Sequence, residues 1–293
     1  MYYRIHHFRV LFIICTFSVI LMLIGCAVQK NIWGDPKSGL ILQYRLAENQ
    51  AASYRLSNNI TQNMDVMGQS INTQMSTNLV FKMTPVGLEK NNLNFRISID
   101  SLKMNMGGPM GDMSPDVSSI VGEGFDMKLA PSGKELDLSG ADALKYSLGP
   151  GGERSISSEF KTLFPDLPGK PVKIGDSWTT YDTLQIKDDN TDMKLFFENL
   201  NTLQGFAPVN GMECVKIVAA VKGSMGGSGY QNGADMKFSG EIKATDTWFF
   251  AYKKGIFVKS ASDGTINSNI AVSGPQDMNI PMKMQTKLNV DLL

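Results

Sequence analysis

Sulfur is the chemistry this sequence holds in excess, with 18 methionines and three cysteines among 293 residues. The densest stretch is Met104-Asn-Met106-Gly-Gly-Pro-Met110-Gly-Asp-Met113, echoed by Met278-Asn-Ile-Pro-Met282-Lys-Met284. Thioethers are soft ligands that suit Cu(I), so Met104, Met106, Met110 and Met113 form a candidate copper site. Methionine is equally an adaptable apolar filler. Met104, Met106, Met282 and Met284 fall in phase with apolar stripes, which favours filler, and no metal or other cofactor is expected. Cys15 and Cys26 belong to the amino-terminal segment, leaving Cys214 with no partner for an intramolecular disulfide. It lies in a strand-like pattern, Met212-Glu-Cys-Val-Lys-Ile-Val, where a buried, inert thiol is the expectation. Both histidines, His6 and His7, are also amino-terminal. The rest of the chain therefore lacks the base of Ser-His-Asp and Cys-His catalysis and any His-based zinc or iron site. No enzyme is expected.

Three other spacings carry less. Ser158-Glu-Phe-Lys161 matches the Ser-x-x-Lys of penicillin-recognising enzymes, but no Lys-Thr-Gly follows, and the plain reading puts Ser158 and Lys161 in solvent. Asp188-Asp-Asn-Thr-Asp192 lacks the glycine and terminal glutamate of a calcium loop and reads as a solvated hairpin turn. Gly223-Ser-Met-Gly-Gly-Ser-Gly229 has no Gly-Lys-Ser/Thr after it and reads as a flexible turn.

The amino terminus is more specific. Arg4 and Arg9 precede a 15-residue apolar run, Val10 to Ile24, with no acid before Cys26. A bilayer-spanning helix needs about 20 apolar residues, so the run is short for a permanent anchor and normal for a signal-peptide core. It ends in Leu23-Ile24-Gly25-Cys26, which resembles the lipobox of bacterial lipoproteins. That resemblance implies cleavage after Gly25, a diacylglyceryl group on the Cys26 thiol and acylation of the new amino terminus. Ala27-Val28-Gln29-Lys30 contains no acid, which by the same analogy favours the outer membrane with the domain in the periplasm.

Elements that could position a site are nearly all strands. Ile71, Thr73, Met75, Thr77, Leu79, Phe81 and Met83 alternate with polar neighbours, as do Leu93, Phe95, Ile97 and Ile99. The phase slips to Leu102, Met104 and Met106, which predicts a bulge near Ser101. Val215, Ile217, Ala219 and Val221 make another stripe. So do Met236, Phe238, Ile242, Ala244, Trp248 and Phe250, and the chain closes on Ile280, Met282, Met284, Thr286, Leu288, Val290 and Leu292. Such one-sided stripes predict antiparallel sheet with one wet and one dry face. Runs this long coil into a bent sheet, either an open barrel or a two-sheet clam. Two or three short helices are expected, at 114–121 and 153–164 in particular. Without the leader, 26 basic face 28 acidic residues in no like-charge block, which argues against nucleic acid as a partner.

The organisation read from these signals is a signal peptide over 1–25 and a lipidated tether over 26–40. A first β-rich half over 41–164, a proline-rich connector over 165–178 and a second β-rich half over 179–293 follow. Thr84-Pro-Val-Gly and Ala207-Pro-Val-Asn, with spaced glycines after each, suggest a duplicated unit of about 120 residues. Phe164-Pro-Asp-Leu-Pro-Gly-Lys-Pro-Val-Lys-Ile-Gly-Asp-Ser-Trp178 and Asn210-Gly-Met-Glu-Cys-Val-Lys-Ile217 resemble a family of Bacteroidota envelope lipoproteins of unknown function. That resemblance implies no activity and no catalytic residues. The architecture is similar to lipoprotein-carrier open β-barrels by analogy alone. The expected protein is a lipid-anchored, non-catalytic envelope module that binds a lipid-like apolar ligand. Its candidate pocket lining is Met75, Phe81, Met83, Phe95, Met104, Met106, Phe238, Trp248, Met282 and Met284. A structural lipoprotein without a ligand and a Met-based Cu(I) binder are the alternatives.

Overall fold

Alternation becomes strand throughout, and two-residue turns reverse the chain. Met67-Gly68, Lys90-Asn91 and Asn210-Gly211 all take positive φ at both positions, the geometry whose twist matches that of the flanking strands. Asp65 steadies the first turn by accepting from the Gly68 amide at 2.8 Å. The computed structural model describes residues 32–46, 50–109, 111–147, 153–187, 190–231, 233–274 and 277–293. Cys26, Gly25 and Met110 lie outside them.

Two short strands, β1 (Gly34–Asp35) and β2 (Gly39–Leu40), precede the main sheet. Its first group is β3 (Ala52–Val66), β4 (Gln69–Glu89), β5 (Asn92–Gly107), β6 (Gly124–Leu129) and β7 (Glu135–Asp137). After the small hairpin β8 (Lys145–Ser147) and β9 (Glu153–Ser155) comes the second group: β10 (Ser177–Lys187), β11 (Thr191–Val209), β12 (Met212–Gln231), β13 (Ala234–Ala251), β14 (Ile256–Ser273) and β15 (Met278–Leu292). The two groups form one 11-stranded antiparallel sheet, ordered β10 to β15 and then β3 to β7. They join edge to edge, β15 on β3, from Leu292 opposite Tyr54 to Met282 opposite Met64. The sheet is open, with β10 and β7 as its edges. The bulge expected near Ser101 is present: Val80 pairs Ser101 and Phe81 pairs Ile99, leaving Asp100 as the extra residue. Other register shifts fall between Leu203 and Gly205 and between Phe249 and Phe250, and each bends its strand.

The chain between β7 and β10 turns back across the dry face and plugs one end. Phe160 sits 5.0 Å from both Phe81 and Phe125. Phe164 lies edge-on to Tyr44, Tyr54 and Phe257 at 6.1–6.2 Å. The Tyr44 hydroxyl donates to the Pro165 carbonyl at 3.1 Å, and the Trp178 indole donates to the Asp166 carbonyl at 3.2 Å. Both strand groups contribute to this single core, from Leu56, Phe81 and Ile97 to Ile217, Trp248 and Val290.

The helix expectations need correction. Residues 114–121 do not form one, because Asp116 turns back on itself to accept from the Ser118 amide at 3.0 Å and Gly122 takes φ +90°. Residues 153–164 begin as β9, then a single 3-10 turn over Ile156–Glu159, with Ser155 Oγ accepting from the Ser157 amide. That turn still buries Ile156 and Phe160. Among the described residues the α-helical segment is α1, Ser139–Asp142, which no pattern announced.

Two outcomes follow from the plug. Phe164→Ala is expected to lower stability by about 3–5 kcal/mol. Tryptophan fluorescence, from Trp178 and Trp248 of the second strand group and Trp33 of the entering chain, and circular dichroism should still melt together; two separated transitions would contradict one shared core. Burial also pushes the Glu135 carboxyl up to about 9 and that of Asp166 up to about 6. The folded chain then keeps protons that the unfolded chain has released, so stability is fullest below the ordinary carboxyl range. It declines as pH rises through about 6 towards about 9. Melting temperature should fall from about pH 5 to about pH 9, and Glu135→Gln should flatten the upper part of that fall.

Candidate functional site

Register assigns every side chain of the main sheet to a face, and the dry face changes character along the strands. Towards the end that carries the β4–β5, β11–β12 and β13–β14 turns, it is packed solid. Phe81 and Ile97 are 0% exposed and Trp248 is 2%. Towards the other end, carrying the β3–β4, β10–β11, β12–β13 and β14–β15 turns, the plug stops short. There Ile60, Met64, Ile71 and Met75 of the first group are only half-buried. So are Met193, Phe238, Ile266, Ile270 and Met284 of the second. A smaller cluster of Leu195, Met225 and Ile242 with Leu184, Ile186 and Phe197 lines the same region. A cleft of about 840 Å³ opens here between Ile186, Lys187, Thr191, Tyr230 and Met236 on the sheet and Asp142, Lys145, Glu153, Arg154, Ser157 and Lys161 beside the plug, so polar and charged side chains make up most of its wall.

A polar belt separates the two regions. Asn201, Asp246, Ser262, Asn58 and Thr77 all occupy one cross-strand row or its continuation. Above them, Asn199 donates to Asp182 at 2.8 Å, Asn201 to Thr180 at 3.3 Å, and the Thr286 hydroxyl to Asn58 at 3.1 Å. Asp246 bonds to Ser262, while its Oδ1 is buried without a protein partner. Burial pushes both dry-face carboxyls, Asp182 and Asp246, above the usual carboxylate range. Asp182 stands opposite Phe197 and Asp246 between Ala219 and Ser262, so each puts a hydrogen-bonding group on the dry face.

The sequence-derived lining divides between the regions. Phe81, Met83, Phe95, Met104 and Trp248 belong to the closed core, where only a void of about 20 Å³ touches Met83 and Phe95. Met75, Met106, Phe238 and Met284 lie half-buried on the upper part of the dry face, and Met282 beside them is buried. In the copper candidate, Met104 packs in the core, while Met106 pairs with Met113 through backbone bonds of 2.7 and 2.8 Å. Among the described residues no group of three or more His, Cys, Asp or Glu could hold a metal ion. Cys214 is fully buried with Ala251 and Val258.

The glycine-rich run expected as a flexible turn lies inside β12 instead. A Cβ at Gly229 would press on Met236 and Phe238 at 3.2 Å, so its absence is what lets those side chains lie flat across the strand. The inward acids were missed, though Asp246 stands in phase with the stripe from Met236 to Phe250. An acid on the dry parity is the signal that could have found it.

No family model and no curated protein matches this chain. Among solved structures it is similar to an outer membrane channel from Pseudomonas putida F1, at 8% identity over 85% of this chain and 97% of that one, with a TM-score of 0.25. It is also similar to the β domain of the Bordetella autotransporter Brka, at 7% identity over 83% and 100%, with a TM-score of 0.23. At these scores the likeness carries no argument about fold or function.

Proposed function

We propose that the chain is a lipid-anchored envelope protein without catalytic activity, whose half-covered dry face takes a lipid-like apolar ligand. The observation that carries this reading is the mismatch between sheet and plug. The upper dry face is built of methionine, isoleucine and phenylalanine, yet the chain's own segments cover only the lower part. Each methylene buried there gains about 0.8 kcal/mol, and flexible methionines adapt to a chain of varied shape. The outer face argues against the lipid-facing wall of a membrane-spanning barrel, which carries an apolar band outside. Here Lys237, Glu241 and Lys243 point outward from β13, and Lys283, Lys287 and Asp291 from β15, with exposed ion pairs such as Lys259–Asp291 at 3.0 Å. Missing histidine supports a binder rather than an enzyme, and the lipobox-like Leu23–Cys26 supports the anchor. The acid-free stretch after Cys26 favours the outer membrane, periplasmic side.

Two measurements test this. The chain made without residues 1–26, purified without detergent and examined by native mass spectrometry, should carry a co-purifying apolar molecule. A ligand-free protein that also fails to take up N-phenyl-1-naphthylamine would leave the purely structural alternative. In the native host, Cys26→Ala should abolish labelling by a palmitate analogue; persistent labelling would place the lipid elsewhere.

A further inference from the structure

The closed end of the sheet gathers exposed apolar side chains and lysines where the amino-terminal chain enters. At the closed end, Arg45 donates to the Ile32 carbonyl and the Arg45 amide to Gly255 in the β13–β14 turn, so the chain coming from Cys26 enters here. Leu293 also lies here, its amide donating to Ser53 at the start of β3. Ile32 is 62% exposed, Val86 66%, Leu88 65% and Leu293 57%. Lysines stand among them: Lys90 in the β4–β5 turn, Lys253 and Lys254 in the β13–β14 turn, and Lys134 in the β6–β7 turn. Nearby acids are largely engaged, since Glu213 accepts from Lys253 and Tyr252 at 2.6 Å and Glu89 pairs with Lys128 at 2.8 Å. The open end is mixed in charge: Asp65 flanks the β3–β4 turn and Asp277 precedes β15, while Lys145, Arg154, Lys161 and Lys187 line the cleft.

We infer that the closed end is a membrane-docking base, which seats its exposed apolar side chains and turn lysines on the anionic surface of the bilayer holding Cys26. The open end then faces away from that bilayer. Exposed leucine, isoleucine and valine beside lysine is the composition of an interfacial contact: apolar groups enter the headgroup boundary and cations meet anionic lipid. The occupant is specified by continuity with the tether, since residues 27–32 are too few to carry the domain far from the lipid. The inference rests on the proposed anchor only for where the tether starts; the base itself is made of residues on the folded domain.

The test uses the chain without residues 1–26, because every described strand and core residue lies after Ile32. Cosedimentation with phosphatidylglycerol vesicles should exceed that with phosphatidylcholine vesicles and weaken with salt. Lys90→Glu and Lys254→Glu should each reduce binding by about fivefold or more, the equivalent of losing one cation near the surface. Orientation is read from a single environment-sensitive NBD label, Cys214 being fully buried. Leu88→Cys and Met67→Cys put it at equally exposed positions on opposite ends, each 65% exposed in the native chain. The Leu88 label should brighten on phosphatidylglycerol vesicles and the Met67 label should not. No preference for anionic vesicles, or a brighter Met67 label, overturns the inference. Apolar-probe uptake is measured separately, so a chain that binds the probe but not the vesicles would fail here and leave the ligand reading standing.

Discussion

The whole structure depends on how much dry face one crossing segment can cover. Strands such as β11, β12 and β13 run 18–20 residues. At about 3.3 Å per residue each is several times longer than an average strand. Phe160 and Phe164 reach both strand groups only at the end where Phe81, Phe125, Tyr54 and Phe257 meet them. The result is a sheet with one end sealed by rings and the other still offering apolar surface. A core of that kind holds the sheet in shape without filling it.

Polarity is arranged around that constraint. The belt at Asn58, Asp246, Ser262 and Asn201 lies where plug packing gives way to the open region. Buried hydrogen-bonding groups are tolerated there because they satisfy one another, with the Asp246 Oδ1 as the exception. On the wet face of β13 and β15, charged side chains such as Lys237, Glu241, Lys283 and Lys287 point outward. Together these features give the molecule a direction: sealed by rings at one end, half-covered at the other.

Strand content was legible because period-2 alternation over ten or more residues has no other stable outcome. The Asp100 bulge was legible for the same reason, since a slip of phase in one strand has to be absorbed locally. What the pattern lacked was depth. Periodicity assigned Phe81 and Met75 to the same face correctly, yet only the position of the plug puts Phe81 in the closed core and Met75 in the half-covered region. The plug itself was misread as helix because Ile156, Phe160, Leu163 and Phe164 have helical spacing, whereas Pro165 and the Ser155 cap allow only a single 3-10 turn before the chain extends. Glycines in β12 looked like a turn because sequence does not reveal that Met236 and Phe238 need the space. Asp246 was overlooked within a stripe defined by its apolar members.

Methionine oxidation tests the central claim most directly, because the thioethers themselves are spread over both regions. Treated with dilute hydrogen peroxide and followed peptide by peptide, the folded chain should oxidise Met64, Met75, Met106, Met236 and Met284 well before Met83, Met104 and Met127, with exposed Met67 as the reference. An apolar ligand should slow the first set and leave Met67 unchanged. Equal protection of all the dry-face methionines without ligand would mean that the upper face is already covered, and the account of a half-filled sheet would be wrong.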